Sequence, residues 1–351
     1  MPTHHHQSKN MSNSNKPNTD LLKVLTREGV LINVSVRYWR ANKKLNAQDL
    51  GLDPDDVSDR LISLGHKRLL PREATSRLNL IESRTHAFIE TNTFPFLGGI
   101  AKFLPNPKLA EVQAKLAEFE SEFADAREAF IDSYAANRGE ALEEWQVMAT
   151  RLAADPRALM AAIADAFPAA SRLQKKFAFD VQMFQIAAPA NLSRELIEAG
   201  EQEQVIEARR AAASEARVRI QSDATAFVAE CVTDLRQQTA QLCDEMLNSM
   251  QRGKTDGVHQ KTLNRLVRFI DQFKAMNFAD DREMEQRLEQ VRSEFLERSA
   301  GDYRNNPAAQ RDLQSGLTTM RDHANGLLEQ DAKELVERFG QMGRRKLQLA
   351  G

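Results

Sequence analysis

The sequence predicts a mainly helical α+β protein: long antiparallel helices or coiled coils with a small two-stranded β-sheet. Three observations predict it. Val30-Leu-Ile-Asn-Val-Ser-Val-Arg-Tyr-Trp39 alternates apolar and polar residues, as a half-buried strand does. Leu109, Val112, Leu116, Phe119, Phe123, Ala126 and Phe130 recur at steps of three and four, the seam of a packed helix. Charged residues make up 28% of the chain and aromatics 6%, which suits narrow apolar seams on broad solvated faces better than a thick β-core.

Taken in order, the N-terminus is polar. A disordered tail is expected over residues 1–28, richest in Asn, Ser, His and Pro up to about residue 19. His4, His5 and His6 form a tract that reads as incidental or as an added tag. The strand Val30–Trp39 puts Val30, Ile32, Val34, Val36 and Tyr38 on one face. Asp53 before Pro54 suits the cap of a short helix. Around it, Asp49, Asp55, Asp56 and Asp59 lack the spacing and closing Glu of a calcium loop, so caps and solvated surface account for them.

A helix is expected from about Arg72 to Thr91, with Leu78, Ile81, Thr85 and Phe88 inward. Phe94-Pro-Phe-Leu-Gly-Gly-Ile-Ala-Lys-Phe-Leu-Pro105 is apolar but broken by Gly and Pro, and reads as an ordered loop against the core. The seam helix should run from about Asn106 to Asn137, followed by a separate helix carrying Leu142, Trp145 and Met148. Asp155-Pro156 starts another that stops near Pro168. Alternation returns over Lys176–Ile186, giving the second strand and the natural partner of the first.

From Leu192 to about Gln251 there is no proline and one glycine, Gly200, so one extended helix is expected. Gly253-Lys-Thr-Asp-Gly257 should break it, and three more helical patterns follow, the last carrying Leu313 to Phe339. Three regions result: the tail, an α+β head over residues 29–189, and a long-helix or bundle region over residues 190–351.

The charge balance, 48 basic against 50 acidic residues, argues against a global pull toward nucleic acid or anionic lipid. No run approaches the roughly 20 apolar residues of a spanning helix, and the N-terminus lacks a signal-peptide core, so a cytoplasmic location is expected. Cys231 and Cys243, twelve residues apart on one expected helix, lie ~18 Å apart along its axis, too far for a disulfide. Gly253-Lys254-Thr255 resembles the end of a phosphate loop, but position 248 is Asn where that loop needs Gly, and a helix precedes it rather than a strand. His66, His86, His259 and His323 stand singly, without a partner at zinc-ligand spacing. No catalytic residue, metal site or cofactor is expected.

One stretch, Arg37-Tyr-Trp-Arg-Ala-Asn-Lys-Lys44, interleaves cations (Arg37, Arg40, Lys43, Lys44) with aromatics (Tyr38, Trp39), and His66, Lys67, Arg68 and Arg72 extend it. That composition suits a surface gripping phosphates and stacking bases. The plainer account is a strand end with Tyr38 in the core and solvated charges.

Gly29–Trp39, Lys43-Lys-Leu45, Asp49-Leu-Gly-Leu52, Ser63-Leu-Gly-His-Lys-Arg-Leu-Leu70, Phe177-Ala-Phe-Asp-Val181 and Asn277-Phe-Ala-Asp-Asp281 resemble domain-of-unknown-function family 3150, from about Gly29 to Phe295. The resemblance implies a protein of bacteria and their phages with no assigned catalytic residue. It also implies genes encoded near MoxR-type AAA+ ATPases and von Willebrand A-domain proteins, hence an adaptor or substrate-handling part of such a machine. The expectation is therefore a non-enzymatic scaffold or adaptor whose partner is another protein or a second copy of itself. The alternative is a nucleic-acid-binding accessory protein of a phage or mobile element. A third reading is a membrane-active helical protein exposing Phe94–Leu104.

Overall fold

In the computed structural model the described residues are 19–50, 52, 64–153, 155–185, 203–251, 258–304, 306–329 and 334–340. The expected cap at Asp53, the Gly253–Gly257 break, Gly200 and the histidine tract lie outside them. The chain divides into two compact units, one of Leu31–Phe94 and Ala101–Phe184, the other of Met1–Val30, Pro95–Ile100 and Gln185–Gly351.

The first unit is built around the alternating strands. Strand β1, Gly29–Arg37, pairs antiparallel with the edge strand β6, Ala178–Phe184; Val34 faces Val181, and Val36 faces Phe179. This is the expected pair, but the sheet is larger: β4 (Phe94–Phe96) and β5 (Ala101–Pro105) extend it in the order β4–β5–β1–β6. The expected loop at residues 94–105 is thus two strands. Pro95 sits on an edge strand, where a missing N–H is tolerated, and Gly98 and Gly99 take positive φ in the turn between the strands. Phe94, Phe96, Phe103 and Leu104 are all buried, so most of the apolar side chains that a membrane-inserting tip would present are inside; Ile100 alone among those described is strongly exposed.

Helix α2, Arg72–Asn92, buries Leu78, Ile81, Thr85 and Ile89. It packs on α3, Asn106–Leu152, through the Phe88–Phe119 ring contact and the Arg84–Glu122 ion pair. Helix α3 is one helix of 47 residues, where two were expected. Gly139 lies inside it with open space around its Cα, and one exposed Gly costs a helix only about 1 kcal/mol. The predicted seam is the buried face: Val112, Leu116, Phe119, Phe123, Ala126 and Phe130 are all inside, with Leu109 half-buried. Phe123 and Phe130 meet Phe177 at 6.5 and 5.6 Å between centroids, and Phe123 meets Phe179 at 5.8 Å. The α3 seam therefore covers the Phe177–Phe179 end of the second strand's apolar face, whereas Val181 and Met183 further along it are exposed. Helix α4, Pro156–Ala166, starts as expected, with the Asp155 carboxylate accepting from the Arg157 and Ala158 N–H groups at 3.0 Å. The short α5, Ala170–Leu173, leads into β6.

In the second unit, residues 19–28, expected within the disordered tail, form helix α1, Thr19–Glu28, with Leu21, Leu22, Val24 and Leu25 buried. A polar composition hid a four-residue apolar stripe long enough to dock one short helix. The spine is α6, Glu203–Gln251, 49 residues and ~73 Å at 1.5 Å per residue. Its buried stripe includes Phe227, Cys231, Leu235, Leu242 and Met246, as periodicity required. Helices α7 (Gln260–Met276), α8 (Arg282–Val291), α9 (Ala300–Arg304) and α10 (Pro307–Glu329) follow, and residues 334–340 are helical. Phe227 is the hub of a ring chain, 4.8 Å from Phe96 and 6.1 Å from Phe278, which in turn meets Phe339 at 5.7 Å.

One buried polar knot joins α6, α8 and α10. Arg236 donates through Nε to the Asp281 carboxylate and through Nη1 to the Leu327 carbonyl, both at 2.8 Å. The other Asp281 oxygen accepts from Met284 N–H at 3.4 Å, while Asn277 accepts from the Asp281 N–H and donates to Glu285. Cys231 and Cys243 are free and buried; burial pushes the Cys231 thiol well up and the Cys243 thiol to about 12.

Candidate functional site

The cationic segments singled out in the sequence meet in a two-stranded ribbon that periodicity gave no sign of. At the end of β1 the chain turns through Ala41, a buried residue with φ of +50°. It then forms β2, Asn42–Lys44, antiparallel to β3, His66–Arg68, in the register Asn42–Arg68, Lys43–Lys67, Lys44–His66. The ladder continues at both ends, with Leu69 N–H donating to the Ala41 carbonyl at 2.7 Å and Leu45 N–H to the Gly65 carbonyl at 3.0 Å. The ribbon is fastened from within: Leu69 and Leu70 are buried in the core, and the Trp145 indole N–H donates to the Arg68 carbonyl at 3.0 Å.

Cross-strand partners share a face and neighbours along a strand alternate. One face therefore carries Asn42, Lys44, His66 and Arg68, all exposed; the other carries Lys43 and Lys67. Lys67 is spoken for, because its ammonium lies 2.7 Å from the Asp49 carboxylate with both side chains nearly buried. Asp49 also accepts from the Asn46 N–H at 2.8 Å, tying the loop down.

The remaining expected surface residues separate. Arg37 lies on β1 and pairs with Asp180 of β6 at 2.7 Å in the open. Trp39 is half-buried, its ring 6.3, 5.7 and 5.9 Å from those of Phe130, Tyr134 and Phe167 in an aromatic cluster. Tyr38 takes the outward role instead. Its hydroxyl donates to Glu82 at 3.2 Å and approaches Asn79 at 3.4 Å, and Arg40 lies over its ring at 5.1 Å while pairing with the same Glu82. Partial burial and the Glu82 carboxylate push the Tyr38 phenol up to about 12, so it stays protonated and a donor.

Between the end of β1, the Asn42–Arg68 pair of the ribbon and the first three turns of α2 lies an open cleft of about 480 Å3. Tyr38, Arg40, Asn42, Arg68, Arg72 and Asn79 line it, with Thr75, Ser76, Leu80 and Ser83. Among the described residues Arg68 and Arg72 have no ion-pair partner. Of the lining residues, Arg72 extends the cationic stretch read from the sequence and Tyr38 lies within that stretch, whereas Asn79, further along α2, carries no sequence signal. Among the described residues no group of three His, Cys, Asp or Glu is placed to hold a metal ion, and no helix is long and apolar enough to cross a membrane.

Neither a curated protein nor a solved structure matches the chain. Residues 26–302 match the family described as "Protein of unknown function (DUF3150)", a span that holds both ribbon strands, the cleft and the Arg236–Asp281 ion pair. The resemblance read from Gly29–Trp39 and the later segments is thereby upheld, and the chain belongs to that family.

Proposed function

We propose that this protein is a non-enzymatic adaptor that docks an acidic partner surface on the exposed face of its ribbon. The observation that supports the reading is the row of Lys44, His66 and Arg68 on one face of a ribbon anchored to the core at Leu69, Leu70 and the Trp145 hydrogen bond. An anchored ribbon loses little freedom on docking, and exposed basic side chains on it favour orientation and on-rate toward an acidic surface. The partner in view is a MoxR-type AAA+ ATPase acting with a von Willebrand A-domain protein, which follows from the family's gene context. Helices of 47 and 49 residues offer further surface for the same assembly.

The test is affinity capture with the native chain and with the variant Lys44→Glu/Arg68→Glu, alongside a size measurement of the purified protein. The adaptor reading expects an ATPase recovered by the native chain and lost by the variant. Recovery of the monomer alone, with nucleotide turnover by the purified chain, overturns it. A nucleic-acid partner is the second reading, favoured by the three arginines beside the ribbon. It expects binding that falls steeply with salt as neutralised phosphates release counterions.

A further inference from the structure

We propose that the cleft beside the ribbon is a binding site for a phosphate ester, with Arg68 and Arg72 as its principal contacts. The inference goes beyond the adaptor reading and does not depend on it.

Charge is the first argument. Arg40, Arg68 and Arg72 bring three guanidinium groups to one cleft, and the one carboxylate in contact with them among the described residues is Glu82, held by Arg40. The net of two positive charges complements a phosphate monoester, which carries about −1.5 to −2 at pH 7. Neither Arg68 nor Arg72 has an ion-pair partner among the described residues, and both line the same space.

Donor geometry is the second. Guanidinium forks bind phosphate oxygens in pairs. The Asn79 amide oxygen faces the Tyr38 hydroxyl, which leaves its NH2 group to donate into the cleft. Asn42 supplies another amide from the ribbon side. The volume, about 480 Å3, is in the range of small-ligand sites, ~300–1,000 Å3. Base stacking is not part of the proposal: the half-buried Trp39 ring packs against Phe130, Tyr134 and Phe167, and Arg40 covers the Tyr38 ring. Recognition therefore rests on the phosphate.

A phosphate ester can come from a free nucleotide or from a nucleic-acid strand, and two probes separate them. The full chain is titrated with thymidine 5′-monophosphate and with a short single-stranded oligothymidine, at several salt concentrations. Saturable binding is expected, weakened about tenfold or more by Arg68→Ala and again by Arg72→Ala, and unchanged by Arg219→Ala on α6. Arg72→Lys should recover part of the loss, because a point charge replaces a fork. Similar affinities for the two probes identify a small ligand, and a much tighter oligothymidine with a steep salt slope identifies a strand. Both side chains are exposed, so the variants should keep the native melting temperature, which circular dichroism checks. No saturable binding of either probe, or equal binding by the folded Arg68→Ala/Arg72→Ala chain, overturns the proposal.

Discussion

Arg236 and Asp281 are the most consequential pair of single residues outside the ribbon. Both are almost fully buried, and each is satisfied only through the other and the groups around it. Asp281→Ala removes the counterion and the α8 cap together, so a loss of about 3–5 kcal/mol is expected in urea unfolding. Asp281→Asn, which keeps an acceptor, should lose less. At Tyr38 the effect is pH-dependent. Its phenol rises from 10.0 to about 12, so the folded chain holds that proton more tightly than the unfolded one. The stabilisation is present below about pH 10 and is lost as pH rises through about 12. Alkaline absorbance titration should find the Tyr38 phenolate forming near pH 12, in a step that Tyr38→Phe removes. The roles of Tyr38 and Trp39 were not legible in the sequence. Alternation assigns neighbours to opposite faces, but beyond the end of β1 the chain turns at Ala41 and the strand's alternation no longer governs. The Lys67–Asp49 pair was equally hidden, since eighteen residues separate partners that only the ribbon brings together.

Among elements, those with a period were legible and those without one were not. The β1–β6 pair, the α3 seam, the α4 start at Asp155-Pro156 and the α6 stripe all follow from spacing. The ribbon does not, because Asn42-Lys-Lys44 and His66-Lys-Arg68 have no apolar residue to alternate. Strands β4 and β5 were masked by Pro and Gly that punctuate loops more often than edge strands. Phe130, where the seam meets both Trp39 and Phe177, tests the packing of α3 on the sheet. Phe130→Ala should cost about 3–5 kcal/mol in urea unfolding, whereas Val147→Ala, on an exposed position of the same helix, should cost under about 1 kcal/mol. Continuity of α6 is checked by spin labels at Glu215 and Asn248, both exposed. Thirty-three residues of unbroken helix put their backbones ~50 Å apart, and a markedly shorter distance would mean a fold-back.

For the whole molecule, the family match ends at residue 302, yet the packing does not. Helix α10 begins at Pro307 and contributes buried Leu313, Leu317, Met320 and Ala324, and its Leu327 carbonyl accepts from Arg236. A chain ending at Asn306 keeps the matched segment but strips α6 of that cover and leaves the Arg236 guanidinium short of an acceptor. It should melt well below the full chain and bind a hydrophobic dye such as ANS, which reports newly exposed apolar surface. Native-like melting of the shortened chain would show that α10 is an accessory to a fold complete without it.

The distribution of two rare residue types gives the chain its own pair of optical and chemical reporters. Its two tryptophans, Trp39 and Trp145, both belong to the unit of Leu31–Phe94 and Ala101–Phe184, and its two cysteines, Cys231 and Cys243, both belong to the other. Each tryptophan is fixed by a specific contact, the aromatic cluster for one and the Arg68 carbonyl for the other, so selectively excited tryptophan fluorescence follows that unit's packing, ribbon anchor included. Both thiols are buried with raised pKa values and should resist alkylation until their helix opens. One denaturant titration of the unmodified protein, read by fluorescence and by thiol labelling together, thus follows the loss of each unit by a signal the other does not emit.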